Sequence, residues 1–391
     1  MRTALTRLPL LVLMLLSLTG CWDRTEINDL AFILTTAIDL EKDGSYRYTV
    51  LVPLPGSMGG PSGGGGGTAG NKTYYVDSEV GETFRSAQAK LQERMSRRMF
   101  LAHRRTLVVG EEFAKQKGIR DIFDATARTA ESRMSTYLIV SKGKAYDLLR
   151  ANPQFEMFPS EAIRELVKAK SVIDINIKDI ALSLSAPGGD PVAPYVGVKE
   201  SEEGVKPSKE IEFLGYAQMR DDKMVGTLEN RTAIGLALLK NESVISNITF
   251  PIEEKKLITA RISEARSQIK TKLTGGKLAY DIYIESSSKV LESTGYYDLS
   301  QPKKIDKAEQ LIADYLKASV EQTLKKIVDK ESDSASFGAQ LWRNYPRLWK
   351  QTYEKDWPNG LKDAEFHIHV QNTLSETGLI YNNVTKMGDG R

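Results

Sequence analysis

The chain has 391 residues, 41% hydrophobic and 27% charged, with a formal net charge of +3 and a single cysteine, Cys21. Such a length exceeds one small core and suits two or three domains, and a near-neutral balance gives no electrostatic case for nucleic acid. One cysteine also excludes an internal disulfide, so the fold must hold by ordinary packing.

The chain opens with Arg2 and Arg7, followed by an apolar run from Leu8 to Ser17. That run is too short to span a bilayer, and the order of basic start, apolar core and small residues is that of a secretory signal. Leu18-Thr19-Gly20 leads directly into Cys21, the pattern of a bacterial lipobox. Residues 1–20 are therefore read as a lipoprotein signal peptide, and Cys21 as the lipidation site, carrying a diacylglycerol. Two or more acyl chains hold a protein on a membrane, because each buried CH₂ contributes about 0.8 kcal/mol. Removing the signal leaves 52 Lys+Arg against 51 Asp+Glu, and no later apolar run is long enough to span.

Leu30 to Leu40 and Ser45 to Leu54 read as strands turned at Asp43-Gly44. Residues 56–70 form a Gly-rich loop. Tyr74 to Val76 is a short strand, and Gly81 to Met99 a helix with Phe84, Ala87, Leu91 and Met95 on one face. Thr106 to Val109 and Thr136 to Val140 read as strands, with helices across 111–117 and 119–131 between them. A helix from Lys144 to Arg150 stops at Asn152-Pro153, another stretch follows Pro159, and turns fill 187–191. This β/α mixture makes an N-terminal domain over 21–198. Residues 199–209, charged and poor in apolar groups, read as a linker. Ile211 to Met219, Lys223 to Leu228, a helix from Glu229 to Lys240 and a strand from Ser243 to Phe250 suggest a small ββαβ domain over 210–255.

The last domain, 256–385, begins with a hairpin at Gly275-Gly276, flanked by alternating Ile269, Thr271, Leu273 and Leu278, Tyr280, Ile282, Ile284. Ile305, Ala308, Ile312, Tyr315, Ser319, Thr323 and Ile327 line a long helix. A second helix spans 337–355 with Pro346 inside it, and Phe366, Ile368 and Val370 alternate in a final strand. The fold class expected is a multidomain α+β protein of three domains, with mixed and antiparallel sheets and helices packed on one face.

Little in the chain points to chemistry. Gly60-Pro61-Ser62-Gly63-Gly64 matches G-x-S-x-G, but a nucleophile elbow sits between a strand and a helix, not in a glycine loop. Gly65, Gly67 and Gly70 fit G-x-G-x-x-G with no helix after them. His367 and His369 would project from one face of a strand, without a third metal ligand in register. His103 has no signalled partner. Trp342, Tyr345 and Trp349 would share a helix face, as core or interface. The basic cluster Arg94, Arg97, Arg98, Arg104 and Arg105 reads as a solvated face, or one for anionic lipid or a partner. No nucleophile, base and orienting group stand at recognisable spacing, so no catalytic, metal or cofactor site is expected, and the chain is read as no enzyme.

The chain resembles the Ger(x)C spore germination lipoproteins, the C subunits of GerA-type nutrient germinant receptors. The likeness runs through Cys21-Trp22-Asp23, Glu26 to Leu30, Ala37-Ile38-Asp39, Gly81-Glu82-Thr83, Ser96 to Gly110, Tyr137 to Leu149, Asp190 to Val198, Phe213 to Leu239 and Phe337 to Trp349. The resemblance implies a non-catalytic subunit with three mixed α/β domains, on the outer face of the spore inner membrane. Its implied partners are two polytopic proteins, the A and B subunits, besides the membrane itself. Only Cys21 transfers as a functional residue. The rival reading is a solute-binding lipoprotein of a membrane importer, which needs two similar lobes closing on a ligand; the dissimilar halves here do not supply them.

Overall fold

The structure is a computed structural model that describes residues 25–54, 73–202, 207–275, 277–294 and 297–377. Cys21, Ser62 and the Gly-rich loop, all singled out in the sequence, lie outside those residues. A 3-10 turn, Ile27–Asp29, leads into β1 (Leu30–Phe32), β2 (Thr35–Leu40), β3 (Tyr46–Pro53) and β4 (Tyr74–Gly81). The Thr83 side chain accepts from Ser86 N and starts α1 (Phe84–Arg94). There follow β5 (Arg98–Phe100), β6 (Thr106–Gly110), α2 (Glu111–Gln116), α3 (Arg120–Ala127), β7 (Tyr137–Ser141), α4 (Ala145–Leu149), α5 (Pro159–Val167), α6 (Ile177–Ser185) and β8 (Val192–Glu200). Next come β9 (Lys209–Arg220), β10 (Lys223–Glu229), α7 (Arg231–Leu239), β11 (Ser246–Glu253), β12 (Lys256–Thr274), β13 (Lys277–Ser293), α8 (Pro302–Asp329), α9 (Phe337–Asn344) and β14 (Glu365–Glu376).

Eight strands form one sheet in the order β10-β9-β8-β7-β6-β2-β3-β4. Its centre, β2, β6, β7 and β8, is parallel, because helical crossovers separate those strands in the chain. Parallel strands are covered on both faces and read as unbroken apolar runs, and every residue of β6 is buried. On one face Ile38, Tyr48 and Leu107 meet Leu91, Phe113, Ile122 and Ile180 of α1, α2, α3 and α6. On the other, Ala37, Val108 and Ile139 meet Leu148 of α4 and Ile163 of α5. A four-stranded sheet, β11-β12-β13-β14, carries α8 on one face through Ile312, Leu316, Val320 and Ile327. β1 and β5 form a small parallel pair at the side.

The molecule is thus α+β with mixed sheets, but its parts divide differently from the expectation. Residues 199–209 are no interdomain linker: β8 and β9 stay paired out to Glu200↔Lys209. Residues 210–255 are no separate domain. β9 and β10 extend the eight-stranded sheet and β11 joins the four-stranded one, so the apolar residues of this stretch are shared between two cores. Leu30 to Leu40 breaks at Ile33-Leu34, and the strand β8 had no counterpart in the periodicity reading. The helix expected over 337–355 is interrupted at Tyr345-Pro346, since proline lacks the N–H and crowds the preceding turn. The last sheet is not wholly antiparallel. β14 pairs parallel to β13, as a return through helices dictates.

Candidate functional site

The polar centre of the molecule lies where the two sheets meet. α8 ends at Asp329, Glu331 takes a positive φ of 48°, and Ser332 N–H returns to Ile327 O at 3.0 Å. The chain then runs inward, and Ser332, Asp333 and Ser334 are all 0% exposed. Buried polar groups need partners, and Asp333 has them from several directions. Its carboxylate accepts from Phe337 N (2.9 Å) and Gly338 N (2.7 Å), which are first-turn donors of α9, and from Trp357 Nε1 (2.9 Å). Its own N–H donates to Asp190 Oδ2 at 2.7 Å, and its carbonyl accepts from Asp190 N at 3.0 Å.

Asp190 sits in the turn that starts β8, and its other oxygen accepts from Asp221 N, at the β9–β10 turn, at 2.6 Å. Ser332 Oγ donates to Met219 O. The Asp190 carboxylate therefore stitches together three turns of the chain, around residues 190, 221 and 333, while the Asp333 carboxylate holds the start of α9 and Trp357. The fit is close. Gly188 has φ +69°, and a Cβ there would overlap the Gly338 carbonyl carbon and meet Trp349 Cη2 at 2.7 Å. Ala339 N donates to Gly188 O at 2.6 Å. Beside this clasp a cleft of about 400 Å³ is lined by Ser183, Asp190, Asp221, Trp349, Glu354 and Trp357.

Burial pushes the Asp333 carboxyl up to about 7; its three N–H donors pull it down, and the Asp190 charge pushes it further up. Asp190 is likewise raised by burial, and Lys240 at the end of α7 is lowered by burial. A second buried carboxylate, Asp39 at the end of β2, accepts from Ala145 N (2.7 Å) and Tyr146 N (2.8 Å), and so fixes the start of α4 to the sheet. Burial raises it too. The chemistry of both sites is to hold backbone donors: each carboxylate oxygen already has one.

The residues singled out in the sequence do not converge. His367 Nδ1 lies 2.9 Å from Asp281 Oδ1, and His369 stacks on Tyr283 at 5.0 Å, so both sit on the polar face of β14. Among the described residues no group of three or more His, Cys, Asp and Glu could hold a metal ion. His103 meets Phe32 edge-on at 5.2 Å. Trp342 is 41% exposed while Trp349 is 3% exposed and packs on Trp357 at 5.3 Å. The break at Pro346 is what separates the two faces expected to coincide. The basic cluster is dispersed: Arg94 pairs with Asp77 and Glu79, Arg98 with Glu131, Arg105 with Glu161, and Arg104 is buried. Asp190, Asp333 and Trp357 escaped sequence reasoning. Their only local signals are the turn Gly188-Gly189-Asp190-Pro191 and a serine-rich loop, neither of which carries a chemical motif.

Comparison with known proteins gives a consistent likeness. A family model described as "Spore germination protein N-terminal domain" matches residues 23–198, and one described as "Spore germination B3/ GerAC like, C-terminal" matches residues 214–378. The chain is 31% identical over 379 residues to "Putative spore germination protein YfkR" of Bacillus subtilis (strain 168), covering 97% of each chain. It is 27% identical over 395 residues to "Spore germination protein KC" of the same organism, covering 95% of this chain and 96% of that one. Among solved structures, "Crystal Structure of the GerBC protein" superposes with a TM-score of 0.57 at 16% identity, over 87% of this chain and 96% of that chain.

Proposed function

This chain belongs to the Ger(x)C family of spore germination proteins, and from that premise we propose that it is the non-catalytic, lipid-anchored C subunit of a nutrient germinant receptor. The observation that carries this reading is the continuity of the likeness, which runs in order along nearly the whole mature chain. Two segments of it, Asp190 to Val198 and Phe337 to Trp349, meet at the clasp.

A diacylglycerol on Cys21 would confine the protein to the outer face of the spore inner membrane, where polytopic A and B subunits meet it at high effective concentration. Trp22, beside the anchor, suits the headgroup level, since its ring is apolar and its N–H polar. In this account the two sheets form one rigid body that docks on those subunits and passes on a nutrient-induced change. Among the described residues no helix is long and apolar enough to cross a membrane. The Cys21→Ala protein should leave the membrane fraction and lose nutrient-triggered germination in a strain lacking the native copy. Full membrane partition together with full germination would sink the anchor.

A further inference from the structure

Arg104 lies in the turn between β5 and β6, and its side chain folds inward, leaving the residue 3% exposed. Among the described residues its guanidinium has one partner: Nη1 donates to Thr36 Oγ1 at 3.4 Å, the long limit of such a bond. Nε and Nη2 are buried with no partner. Thr36 stands two residues before Ile38 on β2, so it projects from the sheet face that carries α1. Tyr48 of β3, paired with Ile38, projects from that same face; it is 0% exposed, and its hydroxyl is buried without a partner. Nothing in the family reading calls for a ligand here. We infer that Arg104, Tyr48 and Thr36 form a buried anion site, and that a small monovalent inorganic anion of the chloride or nitrate kind is held there as a structural part of the eight-stranded sheet.

The physical case is the cost of an unpaired charge in a dry site. A buried lysine or histidine can shed its proton, but a guanidinium cannot, so its charge must be met by a counter-charge. Among the described residues no carboxylate pairs with Arg104. The groups that act on it are Tyr48 and a second cation, Arg85 of α1. Burial holds the Tyr48 phenol neutral, so it offers a hydrogen-bond donor and no charge. Arg85 gives its N–H groups to Gln88 Oε1, Ala125 O and Thr129 Oγ1, none of them ionised. A buried water could fill the orphan donors but would leave the charge unbalanced. A guanidinium fork, a phenol and an alcohol supply donors without a competing carboxylate, and that set selects an anion. One buried cation calls for one negative charge, which favours a monovalent ion over sulfate. The rest of this face is the apolar core of Ile38, Val50, Leu91 and Leu107, which admits only a small one. Arg85 is exposed near the start of α1, and its positive charge marks the side from which an anion would arrive.

The probe is bromide, which stands in for chloride and scatters anomalously. The full mature chain in detergent micelles is melted at fixed ionic strength while bromide replaces gluconate, an organic anion too large for a closed site. The melting midpoint of the native chain should rise with the logarithm of bromide concentration, as binding to the folded state alone requires. Arg104→Met keeps an apolar stem and removes the charge, and its midpoint should not respond. Tyr48→Phe removes one donor and should need about tenfold more bromide for the same rise. Equal rises in the native chain and Arg104→Met would mean a general salt effect and would overturn the site. So would a native chain that does not respond, or a Tyr48→Phe response identical to the native one. Should Arg104→Met fail to fold, crystals of the native chain grown in bromide decide the matter. An anomalous peak within hydrogen-bond reach of Arg104 Nε or Nη2 supports the site, and its absence overturns it.

Discussion

Asp333 satisfies three N–H groups, Phe337 N, Gly338 N and Trp357 Nε1. Leaving a buried donor unpaired costs about 1–3 kcal/mol, so Asp333→Ala should lower unfolding stability by roughly 3 kcal/mol or more in urea titrations. Asp333→Asn keeps one acceptor oxygen and should cost less; equal losses would show that the hydrogen bonds are not what matters. The pH dependence has a definite sign. Burial raises the folded-state carboxyl to about 7, whereas an unfolded Asp titrates near 3.9. Between those values the folded state keeps a proton that the unfolded chain has released. The contribution is therefore fully present below about pH 4 and is lost as pH rises through about 7, at up to roughly 1.4 kcal/mol per unit. The stability of the native chain minus that of Asp333→Asn should fall across this window. A difference that is flat or rises would contradict the buried-acid account. Gly188→Ala tests the fit itself: its positive φ and the overlap with Gly338 predict a loss of about 1–3 kcal/mol by thermal melt.

At the scale of elements, α7 is what makes one body of two sheets. Leu236 and Ala237 pack into the core of the eight-stranded sheet, while Leu238 and Leu239 pack into that of the four-stranded sheet. Its approach to α8 depends on Gly235, where a Cβ would overlap Thr323 Oγ1 and Ser319 O; Thr323 Oγ1 also donates to Thr232 O at 3.0 Å. Gly235→Val should push the helices apart and destabilise the chain by about 1–3 kcal/mol, read as a lowered midpoint in thermal unfolding. An unchanged midpoint would mean that this contact is slack. The elements that were legible in the sequence are those whose burial is local. The stripe from Ile305 to Ile327 became α8, and alternation around Gly275 became β12 and β13. What was not legible depends on distant partners. β9, β10 and β11 each read as strands, yet nothing local says which of two sheets they join. The polar run Ser332-Asp333-Ser334 looks like a surface loop until Asp190 and Trp357 enclose it.

For the whole molecule, two dissimilar sheets are joined by α7 and the clasp, and they are not the two similar lobes that close on a solute. Family membership was legible because the likeness is spread over many short segments, whereas the clasp was not, because its residues carry no chemical signature of their own. The account predicts that function follows from the anchor at one end and from protein contacts along the body. Its central claim is tested most directly by affinity purification of a tagged copy from detergent-solubilised spore inner membranes, with mass spectrometry of the co-purifying proteins. Recovery of two polytopic germination subunits is the predicted result. Recovery instead of an importer's permease and ATPase would contradict the account and make the chain a solute-binding lipoprotein.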